Sequence, residues 1–158
     1  TRNESSAASD VYKRQPMSHG GTQYFEDFKV SMVNAVHGSG INDSDSENLV
    51  YGGIASGLIL KFNDDFTVYH AGDTSVFGDM SLISDIYKPD LCMIPIGDHF
   101  TMGVDEAVYA TKLIKAKTYI PIHYGTFPVL TGDPNEFKKR VESHGNSKVI
   151  IMNSGDEI

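Results

Sequence analysis

Apolar positions recur with the period of a strand or of a helix over most of the chain after residue 15, and the pattern sets out a definite order of elements. Phe28-Lys29-Val30-Ser31-Met32-Val33-Asn34-Ala35 alternates as a half-buried strand does and runs into the small-residue turn His37-Gly38-Ser39-Gly40. Residues 54–62 read as a second strand, Asn63-Asp64-Asp65 as a hairpin, and Thr67 to His70 as its return strand. The acidic stretch 42–48 is too polar to bury. Residues 80–87 carry helical spacing, stopped by Pro89, and 90–96 is a short buried-type strand closed by Gly97. Over 104–116 the apolar Ala107, Val108, Ala110, Leu113 and Ile114 share one side of a helix, while Lys112, Lys115 and Lys117 face water. Residues 118–122 form the next strand, which ends at His123. Asp133-Pro134-Asn135-Glu136 supplies an N-cap, a proline at the first helical position and a capping-box acid, so a helix follows to His144 with Gly145 at C′. The last strand spans 148–152.

Three strands followed by helix, strand, helix, strand, helix, strand describe an α/β chain whose second half is a series of βαβ units. They imply a mixed sheet with helices packed on one face. At 158 residues and 40% apolar content the chain is at most one domain. A net charge of −8 argues against a nucleic-acid or anionic-membrane partner and leaves a small molecule or a cation as the expected ligand. The single cysteine, Cys92, lies in an apolar run and reads as a small buried hydrophobe. Without a disulfide, and with no apolar run approaching the roughly 18 residues of a membrane span, a cytoplasmic location is expected, with homo-oligomerisation left open. Residues 1–15 stand apart. They are polar and patternless, and Asp10-Val11-Tyr12-Lys13-Arg14-Gln15 is the translation of the end sequence of a transposase-based sequencing adapter. Residues 1–15 are therefore expected to be a non-native leader from adapter read-through, with an ordinary unstructured terminus as the alternative.

In α/β folds the residues that carry chemistry sit at strand ends. This chain places His37, His70 and Asp73, Asp98 and His99, and His123 there. Asp73 follows a buried-type strand through Ala71-Gly72, and a carboxylate in that position needs a charge partner. Imidazole nitrogen and carboxylate oxygen together suit zinc and similar divalent ions, and an Asp can bridge two ions of a hydrolytic pair. A single strand-end histidine is more often structural, and His19 and His144 read as ordinary surface residues. No G-x-S-x-G elbow and no Gly-rich phosphate loop occurs, which argues against a serine hydrolase and a nucleotide-binding domain.

Four segments, Ala35-Val36-His37-Gly38-Ser39, Tyr69-His70-Ala71-Gly72-Asp73-Thr74, the run from Pro95 to Gly103 and Pro121-Ile122-His123-Tyr124-Gly125-Thr126-Phe127, resemble successive motifs of the metallo-β-lactamase superfamily. The nearest branch is that of the metal-dependent hydrolases akin to ascorbate-6-phosphate lactonase. The resemblance implies His37 as a ligand of a first metal, Asp73 as a bridging carboxylate and His123 as a ligand of a second, with His70 and His99 beside them as catalytic or substrate-contacting groups. It implies two divalent ions, zinc first and manganese or iron as alternatives. The activity implied is metal-assisted hydrolysis of an ester, lactone or phosphoester by a hydroxide held between two ions. The superfamily's H-x-H-x-D-H motif is absent. By the resemblance, residues 16–158 are the C-terminal half of an αββα fold whose N-terminal half is missing, inactive alone, with an exposed sheet face meant for that half. The competing expectation is a non-enzymatic half-domain that binds a metal or a partner chain.

Overall fold

The computed structural model describes residues 17–42 and 48–158, so the expectation for residues 1–15 and most of the acidic stretch lie outside the described residues. The elements are β1 (Thr22–Tyr24), β2 (Phe28–Asn34), β3 (Gly40–Asn42), β4 (Leu49–Tyr51), β5 (Ser56–Phe62), β6 (Thr67–His70), α1 (Met80–Tyr87), β7 (Leu91–Pro95), α2 (Val104–Ile114), β8 (Thr118–Ile122), α3 (Pro134–His144) and β9 (Lys148–Val149). Seven strands make one sheet in the order β1-β2-β5-β6-β7-β8-β9, and β3 pairs with β4 alone. The pairs up to β5–β6 are antiparallel, and β6 to β9 are parallel. Three βαβ steps in one direction along the sheet put α1, α2 and α3 on one face, where α2 touches both of its neighbours.

One registered row crosses six strands: Ser31, Ile59, Tyr69, Cys92, Tyr119 and Val149. Each is at most 4% exposed and faces the helices. Burial pushes the Cys92 thiol well above its ordinary pKa, which makes it a packing residue and not a nucleophile. The adjacent row, Met32, Leu58, His70 and Met93, belongs to the opposite face and is only half-buried. This apolar second face distinguishes the sheet from one with a solvated back.

β1, β3 and β4 have no counterpart in the periodicity. Each is three residues long; all six positions of β3 and β4 are exposed, and in β1 only Gln23 is half-buried, too short a pattern to mark a strand. The last strand stops at Val149, three residues short of the expected end. Ile150 N–H still reaches the Tyr119 carbonyl at 2.9 Å. The next rung would need an N–H from Pro121, which has none. Gly145 ends α3 with an extended backbone (φ −169°) and not the left-handed turn expected of a C′ glycine. Asp133 caps α3 by accepting from Asn135 N–H at 2.8 Å, while Glu136 turns away from the capping box to Arg140 at 3.1 Å. His19 is half-buried and bonded to Ser56 Oγ at 2.9 Å, so it pins the entry segment to β5 and is not an ordinary surface residue.

Tyr119 accepts the Ala116 N–H at 2.9 Å and donates to the Thr111 carbonyl at 3.0 Å, closing the end of α2 onto β8. Tyr119→Phe orphans the buried Ala116 N–H and should cost about 1–3 kcal/mol in chemical denaturation. At the far edge of the sheet Asp90 accepts from Lys117 Nζ at 2.7 Å and Thr67 N–H at 2.9 Å, and the Lys117 bond holds its carboxyl below the ordinary pKa. A depressed folded pKa stabilises at pH values above the unfolded one. That contribution should be lost as pH falls below the ordinary carboxylate pKa of about 4 and through the lower folded one, and Asp90→Asn should flatten this part of the stability-versus-pH curve.

Candidate metal centre

β2 and β6 both run antiparallel to β5, and β7 and β8 run parallel to β6, so all four strands end at the same edge. His70 closes β6 itself, and the following loops carry the other strand-end residues singled out above. The turn after β6 is held from several sides. Ala71 N–H bonds the Met93 carbonyl at 3.0 Å, and Gly72 adopts φ +69°, where a Cβ would stand 2.5 Å from the Ser56 carbonyl oxygen. Only glycine serves there. Thr74, fully buried, then joins three loops. Its Oγ1 accepts the Val36 N–H at 2.9 Å and donates to the Ser75 carbonyl at 2.8 Å, and its own carbonyl accepts the Met102 N–H at 3.2 Å. Ser75 N–H returns to the Val36 carbonyl at 2.9 Å. The His37 loop and the loop after β7 are thus both tied to the turn that presents Asp73.

The loop after β8 closes the site from the other side. At Gly97 a Cβ would fall 2.0 Å from the His123 carbonyl oxygen, so the two loops approach to backbone contact. His123 adopts φ +58°, and Asp98 and His99 are also left-handed at +65° and +55°. Non-glycine residues hold such angles only where their surroundings over-determine them. The turn 98–102 supplies that through Asp98 N–H to the Met102 carbonyl at 3.0 Å and His99 N–H to Asp98 Oδ1 at 2.7 Å.

Of the expected metal ligands, the structure brings Asp73 and His123 together. His123 Nε2 lies 3.6 Å from Asp73 Oδ2. That is too long for a hydrogen bond and close to the about 3.4 Å that separates two ligands of one tetrahedral ion with bonds of about 2.1 Å. His123 Nδ1 is buried and has no hydrogen-bond partner. His37 is exposed on its own loop, and its Nδ1 lies 2.6 Å from the Gly38 carbonyl. The proton must therefore sit on Nδ1, which leaves Nε2 bare in the neutral ring, the state a ligand needs. His70 is the converse. Its Nδ1 accepts the Gly72 N–H at 3.1 Å, so its neutral ring is protonated at Nε2 and serves as a donor. His99 is exposed with its ring edge-on to Phe100, centroids 4.4 Å apart. Among the described residues no three His, Cys, Asp or Glu side chains converge closely enough to hold a metal ion by themselves. The pair fits a cation and does not complete its coordination.

The resemblance places the Gly97-to-Gly103 loop, with Gly97 and Met102, at the pocket mouth but gives Thr74 no site role. Thr74 directly follows the Asp, and a buried hydroxyl next to a strand-end carboxylate is the signal that could have found it.

A mixed sheet with helices on one face and a carboxylate–imidazole pair at its strand ends defines an α/β protein that presents polar side chains from the loops after its strands. A family model described as the beta-lactamase superfamily domain matches residues 1–124, and the chain belongs to that superfamily. It is 53% identical over 126 residues to a UPF0173 metal-dependent hydrolase of Koribacter versatilis, covering 80% of this chain and 53% of that one. It is 48% identical over 142 residues to a namesake from Methanosarcina barkeri, covering 90% and 60%. Among solved structures it resembles Igni18, a metallo hydrolase of the archaeon Ignicoccus hospitalis, with a TM-score of 0.77 and 34% identity over 95% of this chain and 64% of that one. The chain thus spans little more than half the length of the curated relatives it matches. No helix among the described residues is long and apolar enough to cross a membrane.

Thr74→Val keeps the shape of the side chain and removes the acceptor of the Val36 N–H. That loss should cost about 1 kcal/mol of stability in chemical denaturation.

Proposed function

We propose that the protein to which this chain belongs is a metal-dependent hydrolase of small-molecule esters, lactones or phosphoesters, with Asp73 and His123 holding divalent metal at the edge of the sheet. The observation that carries this reading is the 3.6 Å approach of His123 Nε2 to Asp73 Oδ2, a spacing suited to a shared cation. A divalent ion bound there supplies a water of lowered pKa and polarises the scissile group, with zinc the first choice for these donors. His37 offers a bare Nε2 as a further ligand, and the remaining ligands come from chain beyond the residues described here.

Hydrolysis adds the hydroxyl of water to the electrophilic centre and returns a proton to the leaving oxygen. His99 is the candidate for that proton, because it is not committed to metal in this reading. His70, held by the Gly72 N–H as the neutral ring with its proton on Nε2, serves as a hydrogen-bond donor to a substrate oxygen and keeps its proton. The backbone that bears Asp73 is held by the bonds of Ala71, Thr74 and Ser75, and its half-exposed carboxylate is open to a ligand. The lack of a three-donor group among the described residues favours a second reading, a half-domain that binds metal or a partner without catalysis.

Elemental analysis of this chain and of the same chain with its upstream coding sequence restored separates the two. The hydrolase reading expects about two ions per restored protein and one or none in this chain. Asp73→Asn and His123→Ala should each abolish at least one ion. Restored protein that holds no metal would sink the reading.

A further inference from the structure

Resting on the hydrolase reading above, we propose that the site selects uncharged esters or lactones with an apolar acyl or alcohol portion, and discriminates against phosphorylated and other multiply anionic substrates. Two independent features of the site edge carry this.

The first is where the positive charges lie. The loops 35–39, 71–79, 96–103 and 123–133 contain no lysine or arginine. Lys29 opens β2, Lys61 closes the oppositely directed β5, Lys88 and Lys117 precede β7 and β8, and Lys148 opens β9. All five are therefore at the edge remote from Asp73 and His123. Beside the site, a cavity of about 450 Å³ is lined by Asp98, Asp105, Glu106, Asp133 and Glu136. Its one cation among the described residues is Arg140, and the Asp105 and Glu136 carboxylates already hold that guanidinium at 2.6 and 3.1 Å. A phosphate group remote from the metal needs an arginine fork, a lysine or a nest of free N–H groups. This edge offers carboxylates instead, which repel it.

The second feature is apolar. The loops that bear His37, His99 and His123 also carry large exposed hydrophobic side chains: Val36 at 45%, Phe100 at 55%, Phe127 at 64% and Val129 at 43%. Val36 is fixed by both of its backbone bonds to the segment 74–75, and the turn carrying Phe100 is fixed through Met102 N–H to Thr74. The Phe127 loop is closed by Gly125 N–H to the Leu130 carbonyl at 3.1 Å. These side chains are held out by structured loops. Apolar side chains carried on the same loops as the site histidines are suited to the hydrocarbon part of a substrate, with its scissile group left to the metal.

The test uses the metal-loaded gene product that carries this chain, with the p-nitrophenyl esters of acetate, butyrate, hexanoate and 6-phosphonohexanoate as substrates, the last placing its anionic group away from the scissile ester. In parallel, calorimetry compares binding of neutral 4-phenylbutyramide with that of 4-phosphonobutyramide. The proposal expects kcat/KM to rise about two- to fourfold per added methylene, the worth of burying one CH₂. It expects the phosphonohexanoate ester to be turned over at least 100-fold less well than the hexanoate, and the phenyl amide to bind more tightly than the phosphono amide. Phe100→Ala and Phe127→Ala should flatten the chain-length dependence, with the change in KM. Phosphonohexanoate ester turned over as well as hexanoate, or a flat chain-length series in the unsubstituted protein, overturns the proposal while the hydrolase reading stands. No turnover of any substrate, with the phenyl amide still preferred in binding, overturns the hydrolase reading and leaves the apolar preference standing. No turnover and no such preference overturns both.

Discussion

The buried hydroxyl of Thr74 is the constraint on which the rest of the site depends. A strand end can deliver a carboxylate to the edge of a sheet, but a useful site needs the neighbouring loops locked in relation to it. Thr74 does this with one side chain and one carbonyl, by taking the Val36 N–H from the loop after β2 and the Met102 N–H from the loop after β7. Because it is fully buried, these bonds form away from competing water, and each lost partner would leave a polar group stranded. The backbone approach of Gly97 to His123 completes the arrangement from the side of β8. Asp73 and His123 can therefore face one another across separate loops without any direct bond between them.

The sheet is polarised from edge to edge. Lysines gather where the parallel strands begin, and Asp90 ties two of those strand starts together with a carboxylate between Thr67 N–H and Lys117. Carboxylates and imidazoles gather where the strands end. The arrangement follows from chain direction: helices return from the site edge to the far edge, so residues near helix C-termini and strand starts share one side of the molecule. Lysines at helix C-termini also meet the negative end of the helix dipole, which makes this the favourable side for them. The cluster of carboxylates and imidazoles at one edge and the row of lysines at the other are two results of the same topology.

Much of the architecture was legible as periodicity. β6, α1, β8 and α3 fall at the expected residues because each has a strong pattern and an explicit boundary: Gly72 after β6, Pro89 after α1, Pro134 at the start of α3. β1, β3 and β4 were not legible, since three-residue strands with no buried face leave no alternation to read. β9 was overestimated because the apolar run 149–152 continues past the point where the ladder can. Pro121 stops it from the partner strand, and no property of residues 148–152 announces that. The extended end of α3 at Gly145 was likewise invisible, because glycine adopts either backbone conformation without penalty.

By itself the sequence determined the order of the longer elements, the buried character of Cys92 and the placement of His37, Asp73 and His123 at strand ends, because all of these are local consequences of pattern. Only the tertiary structure decided which of those residues meet. It paired Asp73 with His123, kept His37 on its own loop, and made His70 a hydrogen-bond donor and His37 a bare acceptor through single backbone contacts to Gly72 and Gly38. The reason is physical: a strand-end position fixes the edge on which a side chain lies. Distances between loops and the protonated nitrogen of a ring depend on hydrogen bonds to residues that the local pattern does not name.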